Sequence, residues 1–348
     1  MFFRLVKRVL LPLLFIFDTT KAVQSNSLLK DERSLVVFKQ THKTFNNWVE
    51  WKHTHNKSYL PEEEEERFHN FLENFKFIKT SPIFDYKLGL NQFADLSRDE
   101  WVNRFNKIDT TKHGQAPMFI PSGEVIENAP SSLDWRNPKL NPRGIKAVNP
   151  IKNQQQCGSC WAFSTIASVE GAWALSGHNL VSLSEQELVD CSAEEGNQGC
   201  NGGLMDQGFQ YIIDNGGVCT ESEYPYKAQD GQCESSQCKN IALIKSYFDI
   251  QSMNETAIFA AIQNGPLSIA IEADQQSFQF YSGGVYSDIG CGTKLDHGVN
   301  LVGYGSDNGK DYWILRNSWG SSWGESGYMR ILRGKNICGL SQMPSMPV

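Results

Sequence analysis

Gln154-Gln155-Gln156-Cys157-Gly158-Ser159-Cys160-Trp161-Ala162-Phe163 is the stretch on which the reading of this chain turns. Beyond it, Ile166, Ala167, Glu170 and Ala174 continue the helical spacing of Phe163 until Gly177 supplies a stop. The spacing predicts a long, mostly buried helix with Cys160 near its amino end. A thiol attacks as the thiolate, which is favoured by a helix amino end and by an imidazolium neighbour; such surroundings bring cysteine pKa values to roughly 3.5–7.5. From residue 129 onward the chain offers two histidines, His178 and His297. His178 follows Gly177 in a polar stretch and reads as a surface loop residue. That leaves His297, which lies 137 residues after Cys160 and just before an apolar run, as the base; a packed core histidine is the competing reading.

Further on, Asn317-Ser318-Trp319-Gly320 begins 157 residues after Cys160. Alone, Asn317 would read as a turn former. Together these residues resemble the papain family of cysteine proteases, most closely its cathepsin L branch. The resemblance implies an α+β, papain-like two-lobed fold: a helical lobe carrying the thiol, a β-rich lobe carrying His297, and a cleft between them. A mainly helical N-terminal propeptide would precede it. Asn317 would hold the His297 ring through its side-chain amide, shielded from water by Trp319. Gln154, six residues before Cys160, would stabilise the oxyanion together with the Cys160 N–H. Trp323, in Ser322-Trp323-Gly324, would line the leaving-group side. Gly202 and Gly203, after Cys200-Asn201, would let an extended substrate backbone approach closely. Leu204, Met205, Ala270, Leu295, Gly298 and Met343 would line the pocket for the residue two before the scissile bond, with Asp296 and Trp319 also binding substrate. An all-apolar pocket with Met343 at its base favours Leu or Phe there over Arg.

All nine cysteines lie between Cys157 and Cys338, an odd count that leaves one thiol over. Eight cysteines allow 105 pairings, so connectivity comes from the resemblance: Cys157–Cys200, Cys191–Cys233 and Cys291–Cys338. Cys219 and Cys238 remain, at a place where some family members carry an extra bridge. A redox or zinc reading of Cys157 and Cys160 lacks a second Cys-x-x-Cys or a nearby histidine, so neither a metal nor another cofactor is expected.

From residue 129 the chain carries 14 Lys and Arg against 22 Asp and Glu, an acidic balance that argues against nucleic acid as a partner. The expected partners are protein and peptide substrates, the chain's own propeptide as inhibitor, and cystatin-type inhibitors, met by a monomer. Residues 1–22 read as a signal peptide: Arg4, Lys7 and Arg8 precede a short apolar run, Val9 to Phe17, too short to span a membrane. This places the product in the secretory pathway, in a lysosome-like or vacuolar compartment or outside the cell. Asn56-Lys57-Ser58 and Asn254-Glu255-Thr256 are candidate glycosylation sites.

Residues 23–128 are cysteine-free and charged. Pro61 and the acids Glu62 to Glu66 open a helix; Phe68, Phe71, Leu72, Phe75 and Ile78 form one apolar face, and Pro82 closes it. Glu63, Arg67, Phe71, Asn74 and Ile78, then Gly89-Leu90-Asn91-Gln92-Phe93-Ala94-Asp95, resemble the two signatures of the family's inhibitory propeptide. The mature peptidase is expected over 129–348. Its propeptide carries His42, His53, His55, His69 and His113, candidates for sensing acid during activation. Two rival readings stand beside a self-inhibited endopeptidase. An acyl transferase of the transglutaminase kind would lack the propeptide and Asn-Ser-Trp-Gly patterns. A catalytically inactive relative serving as a binding or storage protein would be expected to have lost the nucleophile.

Overall fold

In the computed structural model, which describes residues 44–348 apart from 83, 106, 107, 109, 111, 112 and 115, the chain divides into two units, Met1–Leu72 and Glu73–Val348. The expected signal segment, residues 1–22, and His42 lie outside the described residues. The first unit holds helix α1 over 44–54 and the start of helix α2, Pro61–Thr80. Proline at the first helical position sacrifices no intrahelical bond, and Glu62, Glu63 and Glu64 face the positive end of the dipole. Trp48 stacks on Trp51 at 5.3 Å and packs on Phe71 at 5.2 Å, while its Nε1 donates to Glu64 Oε1 at 3.1 Å. α2 ends at Thr80, two residues before Pro82.

The second unit is built on a sheet of β1 (Tyr86–Leu88), β2 (Leu133–Asp134), β3 (Tyr247–Asp249), β4 (Leu267–Ile271), β5 (Tyr281–Tyr286), β6 (His297–Asp307), β7 (Lys310–Arg316), β8 (Tyr328–Leu332) and β9 (Ser345–Pro347). Strand order runs β1-β5-β8-β7-β6-β4-β9-β3, with β2 also on β6. All five residues of β4 are buried, as a strand covered on both faces requires. β6 turns into β7 through Asn308-Gly309, both at positive φ (50° and 78°), the backbone that a two-residue hairpin needs.

Against this sheet lies α5, Cys160–Leu175, preceded by α3 (Arg98–Phe105) and α4 (Gly123–Glu127) and followed by α6 (Glu185–Cys191) and α7 (Met205–Asp214). Every residue of α5 from Cys160 to Gly171 is buried, so the helix is a core element on all sides. Its few polar side chains are used for docking. Ser164 Oγ donates to Val299 O at 2.8 Å, and Asn300 Nδ2 donates to Ser164 O at 2.8 Å. These bonds fix the helix in register with β6. α5 ends as the glycine predicted, with Gly177 at φ +100° just past the Ser176 cap. Helices packed together and a sheet with its own apolar core give the α+β class expected.

Disulfides join Cys157–Cys200, Cys191–Cys233, Cys219–Cys238 and Cys291–Cys338, and Cys160 is the cysteine outside these bridges. The prolines after Trp135 lie in an exposed surface loop, with a short turn at Pro138–Leu140.

A buried ion cluster ties α5 to the strands. Lys152 Nζ reaches both Glu185 carboxylate oxygens (2.8 and 2.7 Å) and Leu183 O (2.7 Å), and lies 3.6 Å from Glu170. Removing one partner of such a group strands a buried charge. Lys152→Met should therefore destabilise the protein by about 3–5 kcal/mol, read as a lower urea midpoint; an unchanged midpoint would show the cluster to be energetically idle.

Candidate active site

Cys160 opens α5, where the first N–H groups of a helix have no intrahelical acceptor. His297 opens β6, and the next residue presses its backbone against the nucleophile: a Cβ on Gly298 would stand 3.1 Å from Cys160 O. The glycine thus brings thiol and imidazole elements together. His297 is fully buried, and its Nε2 lies 2.8 Å from Asn317 Oδ1. The same oxygen accepts the Ser318 backbone N–H at 2.8 Å, which identifies it as the acceptor. Nε2 must therefore carry the proton and donate it, leaving Nδ1 as the basic nitrogen. Nδ1 is buried with no hydrogen-bond partner. Trp319 stacks on the imidazole at 4.5 Å and 23°, covering the contact with Asn317.

Burial pushes the His297 pKa down to about 4, opposed in part by the Asn317 hydrogen bond. The ring is therefore held neutral well below the ordinary histidine range. In full-length protein carrying Cys160→Ala, the His297 C2-proton resonance should not titrate until about pH 4. A midpoint near the ordinary 6.5 would mean that water reaches the ring. The sign for stability follows: the unfolded chain takes up this proton first, so His297 costs the protein stability as pH falls from 6.5 towards about 4.

Gln154 is held from three sides. Its backbone N–H donates to Ser318 O at 2.8 Å, its Oε1 accepts from Ser318 Oγ at 2.7 Å, and its Nε2 donates to Cys157 O at 3.0 Å. The serine of Asn-Ser-Trp-Gly thus orients both Asn317 and Gln154. Sequence reasoning gave Ser318 no role; its place inside that run was the available signal.

Leu204, Met205, Ala270 and Met343 belong to one buried apolar cluster, with Leu295 and Ile108 packed against it. Ile108, from the expected propeptide, makes a single parallel bridge to Gly203 and lies against Gly298, where a Cβ would stand 3.3 Å from its Cδ1. A Cβ on Gly203 would meet the Trp161 ring at 2.7 Å, so no side chain can replace that glycine without movement. Gly202, at φ +119°, turns the loop that presents it. Asp296 sits beside the base, with Oδ1 accepting from Ala273 N at 2.6 Å. Desolvation pushes its carboxyl up to about 7, with the Ala273 hydrogen bond resisting and Asp274 and Glu272 adding to the rise.

On the other side of the thiol, Trp323 donates from Nε1 to Gln279 O at 3.1 Å and meets Trp319 edge to face at 5.1 Å. Trp101 of α3 packs on Trp319 at 4.7 Å, and Gln92 Nε2 donates to Trp319 O at 2.6 Å. β1 pairs with β5, and Asn91 Nδ2 donates to Gln279 O at 2.7 Å. Residues 86–101 and Ile108 therefore lie against the side chains expected to bind substrate. His178 is exposed, stacked on Trp173 at 3.5 Å and apart from this constellation.

A thiol at a helix start, an imidazole in a defined tautomer and a segment of the same chain laid over both are the parts of a latent thiol peptidase. The description "Papain family cysteine protease" matches residues 129–348, and "Cathepsin propeptide inhibitor domain" matches residues 48–101. The chain belongs to the papain family of cysteine proteases. It is 45% identical over 301 residues to "Probable cysteine protease RD21B" of Arabidopsis thaliana, covering 84% of this chain and 63% of that one. It is 43% identical over 312 residues to "KDEL-tailed cysteine endopeptidase CEP2" of the same plant, covering 86% of this chain and 84% of the relative. Among solved structures, digestive procathepsin L 3 of Tenebrio molitor larval midgut superposes with a TM-score of 0.75 at 42% identity, over 88% of this chain and 99% of that one. The chain spans 62–63% of the length of the first curated relatives it matches. Among the described residues, no helix of this papain-family chain is long and apolar enough to cross a membrane.

Proposed function

We propose that this papain-family chain is a cysteine endopeptidase made as a self-inhibited precursor. The observation that carries the reading is the tautomer imposed on His297: with Nε2–H given to Asn317 Oδ1, Nδ1 is left to take the Cys160 proton. The thiolate then adds to the substrate carbonyl carbon, and the oxyanion meets Gln154 Nε2 and the Cys160 N–H. Collapse breaks the C–N bond as protonated His297 gives its proton to the departing amine, leaving a thioester on Cys160. His297 next takes a proton from water, the hydroxide adds to the thioester, and the acid product leaves as the thiol is restored. A catalytically inactive binding or storage role is not supported, since Cys160, His297, Asn317 and Gln154 are all present and the named relatives are proteases.

In this reading, residues 23–128 are the inhibitor, with Ile108 seated where substrate would lie, and 129–348 are the mature enzyme. Substrates are proteins and peptides, cystatin-type inhibitors would bind the same cleft, and the enzyme acts as a monomer in the secretory pathway, in a lysosome-like or vacuolar compartment or outside the cell. The histidine version of acid activation meets an obstacle at His113. Burial alone would lower its pKa, but the Asp206 hydrogen bond and the charges of Asp206 and Asp249 outweigh this and hold it up. A raised pKa means that the contact is strongest below 6.5 and fades as pH rises, so protonating His113 tightens the propeptide.

The test uses mature enzyme and fluorogenic dipeptide reporters, with and without a thiol-reactive epoxide. Burying Phe or Leu in the Leu204–Met205–Met343 pocket is worth about 1.5–3 kcal/mol, and a buried arginine there would lack a counter-charge. Phe-Arg and Leu-Arg reporters should therefore exceed Arg-Arg by about tenfold or more in kcat/KM, with all turnover lost to the epoxide. Comparable constants for Arg-Arg would remove Met343 from the pocket; turnover that survives the epoxide would remove Cys160 from the mechanism.

A further inference from the structure

Asp206 is the second residue of α7, directly after the pocket residue Met205, and Asp249 ends β3. Neither takes part in the mechanism above. Both are buried, at 5% and 1% exposure, and in each the Oδ1 atom has no hydrogen-bond partner. Into this pair the propeptide inserts a cation: His113 Nδ1 lies 2.7 Å from Asp206 Oδ2 and 3.7 Å from Asp249 Oδ1. Three residues on, Ala116 N donates to Asp249 Oδ2 at 3.2 Å. The chain then pairs with the edge of β3, Asp249 N donating to Pro117 O (3.0 Å) and Phe119 N to Asp249 O (2.7 Å). The same segment thus contacts Gly203 through Ile108, the acid pair through His113 and the β3 edge through Pro117 and Phe119.

We propose that in the mature enzyme this acid pair is a substrate exosite, taking a lysine or arginine side chain upstream of the residue held in the apolar pocket. The proposal rests on the peptidase reading and names a substrate class for it: extended polypeptides with a basic residue before the cleavage segment. When the propeptide leaves, the two carboxylates lose the imidazole and the Ala116 N–H together. Two close acids without a cation repel one another. Asp249, which desolvation and then Asp206 already push up to about 6, loses the one charge recorded as pulling it down. An ammonium or guanidinium restores that charge and brings donors for the two unpartnered oxygens. The exposed β3 edge offers main-chain bonds to the same incoming strand. In the propeptide His113 follows Ile108, whose bridge to Gly203 is parallel; a substrate strand paired antiparallel to Gly203 runs the other way and brings its basic residue to the acid pair several places upstream of the pocket residue.

The experiment uses mature enzyme and internally quenched peptides with Phe two before the scissile bond and a single Lys or Gln placed in turn at the third to seventh upstream positions. At one register Lys should exceed Gln by about tenfold in kcat/KM, the scale of one charge-assisted hydrogen bond, mainly through KM. Asp206→Asn with Asp249→Asn should bring that ratio to about one; should the double variant not fold, Asp206→Asn alone must lower it. A wild-type ratio near one at every register overturns the exosite, as does a lysine preference that survives in the asparagine variants. Cleavage of the Gln peptides reports the peptidase reading separately, so failure of either idea is seen on its own.

Discussion

Cys160→Ser should reduce peptide turnover by about 10⁶-fold, the scale reached when a protease loses its nucleophile, and should leave the precursor at full length. The expectation combines three observations. Cys160 is the cysteine outside the four disulfides, it stands at the start of a buried helix, and a Cβ on Gly298, next after His297, would come within 3.1 Å of its carbonyl oxygen. A serine hydroxyl at this place remains protonated, because a single imidazole tuned to a thiol cannot ionise an alcohol whose acidity is far weaker. Circular dichroism of the variant should match the wild type, since one sulfur-to-oxygen exchange leaves the core of α5 intact. Full activity with a normal spectrum would rule out the mechanism. Mature native enzyme should also titrate with one thiol; three would mean that Cys219 and Cys238 are unpaired in solution.

Much of this site was legible because its parts are local signals. Leu267 to Ile271, Val299 to Tyr304, Tyr312 to Leu315 and Tyr328 to Leu332 are short runs rich in strand formers between glycine turns, and they match β4, β6, β7 and β8; the thiol helix shows in its spacing and its glycine stop. Scarce histidines after residue 129 singled out His297, and the resemblance of Asn317-Ser318-Trp319-Gly320 to the papain family supplied Asn317. What escaped was made of long-range contacts between short elements. β1, β3 and β9 have three residues each, too few for a period to show, and they exist because a neighbour supplies their hydrogen bonds. Ser318 carries no signature of its own and acquires a role only when Gln154, 164 positions earlier, lies against it. The acid pair was hidden for the same reason: Asp206 and Asp249 are isolated carboxylates in sequence, and folding brings His113 between them. The histidines of the propeptide invited an acid-release argument, yet at His113 the surrounding carboxylates reverse its sign.

Gln154→Ala should lower kcat by about 10²–10³-fold with little change in KM, corresponding to about 2.7–4 kcal/mol of lost transition-state stabilisation. A primary amide carries two N–H donors. The Cys157 carbonyl occupies one at 3.0 Å, and the Ser318 hydroxyl fixes the amide plane by donating to Oε1 at 2.7 Å. The second donor is therefore aimed without having to search for its orientation when the oxyanion forms, which is what makes such a bond worth more in the transition state than in the ground state. A purely structural role makes a different forecast. If Gln154 only braced the Cys157 loop, its loss would lower stability and scatter into KM, and Ser318→Ala, which cuts the same brace, would cost as much. The donor role predicts instead that Ser318→Ala is the milder change, because the amide stays in place with its plane less firmly held. Gln154→Glu separates the two further: it keeps shape and the bond from Ser318 but puts a carboxylate where the oxyanion must form, so it should be at least as slow as Gln154→Ala. A Gln154→Glu enzyme faster than Gln154→Ala would assign the oxyanion to other donors.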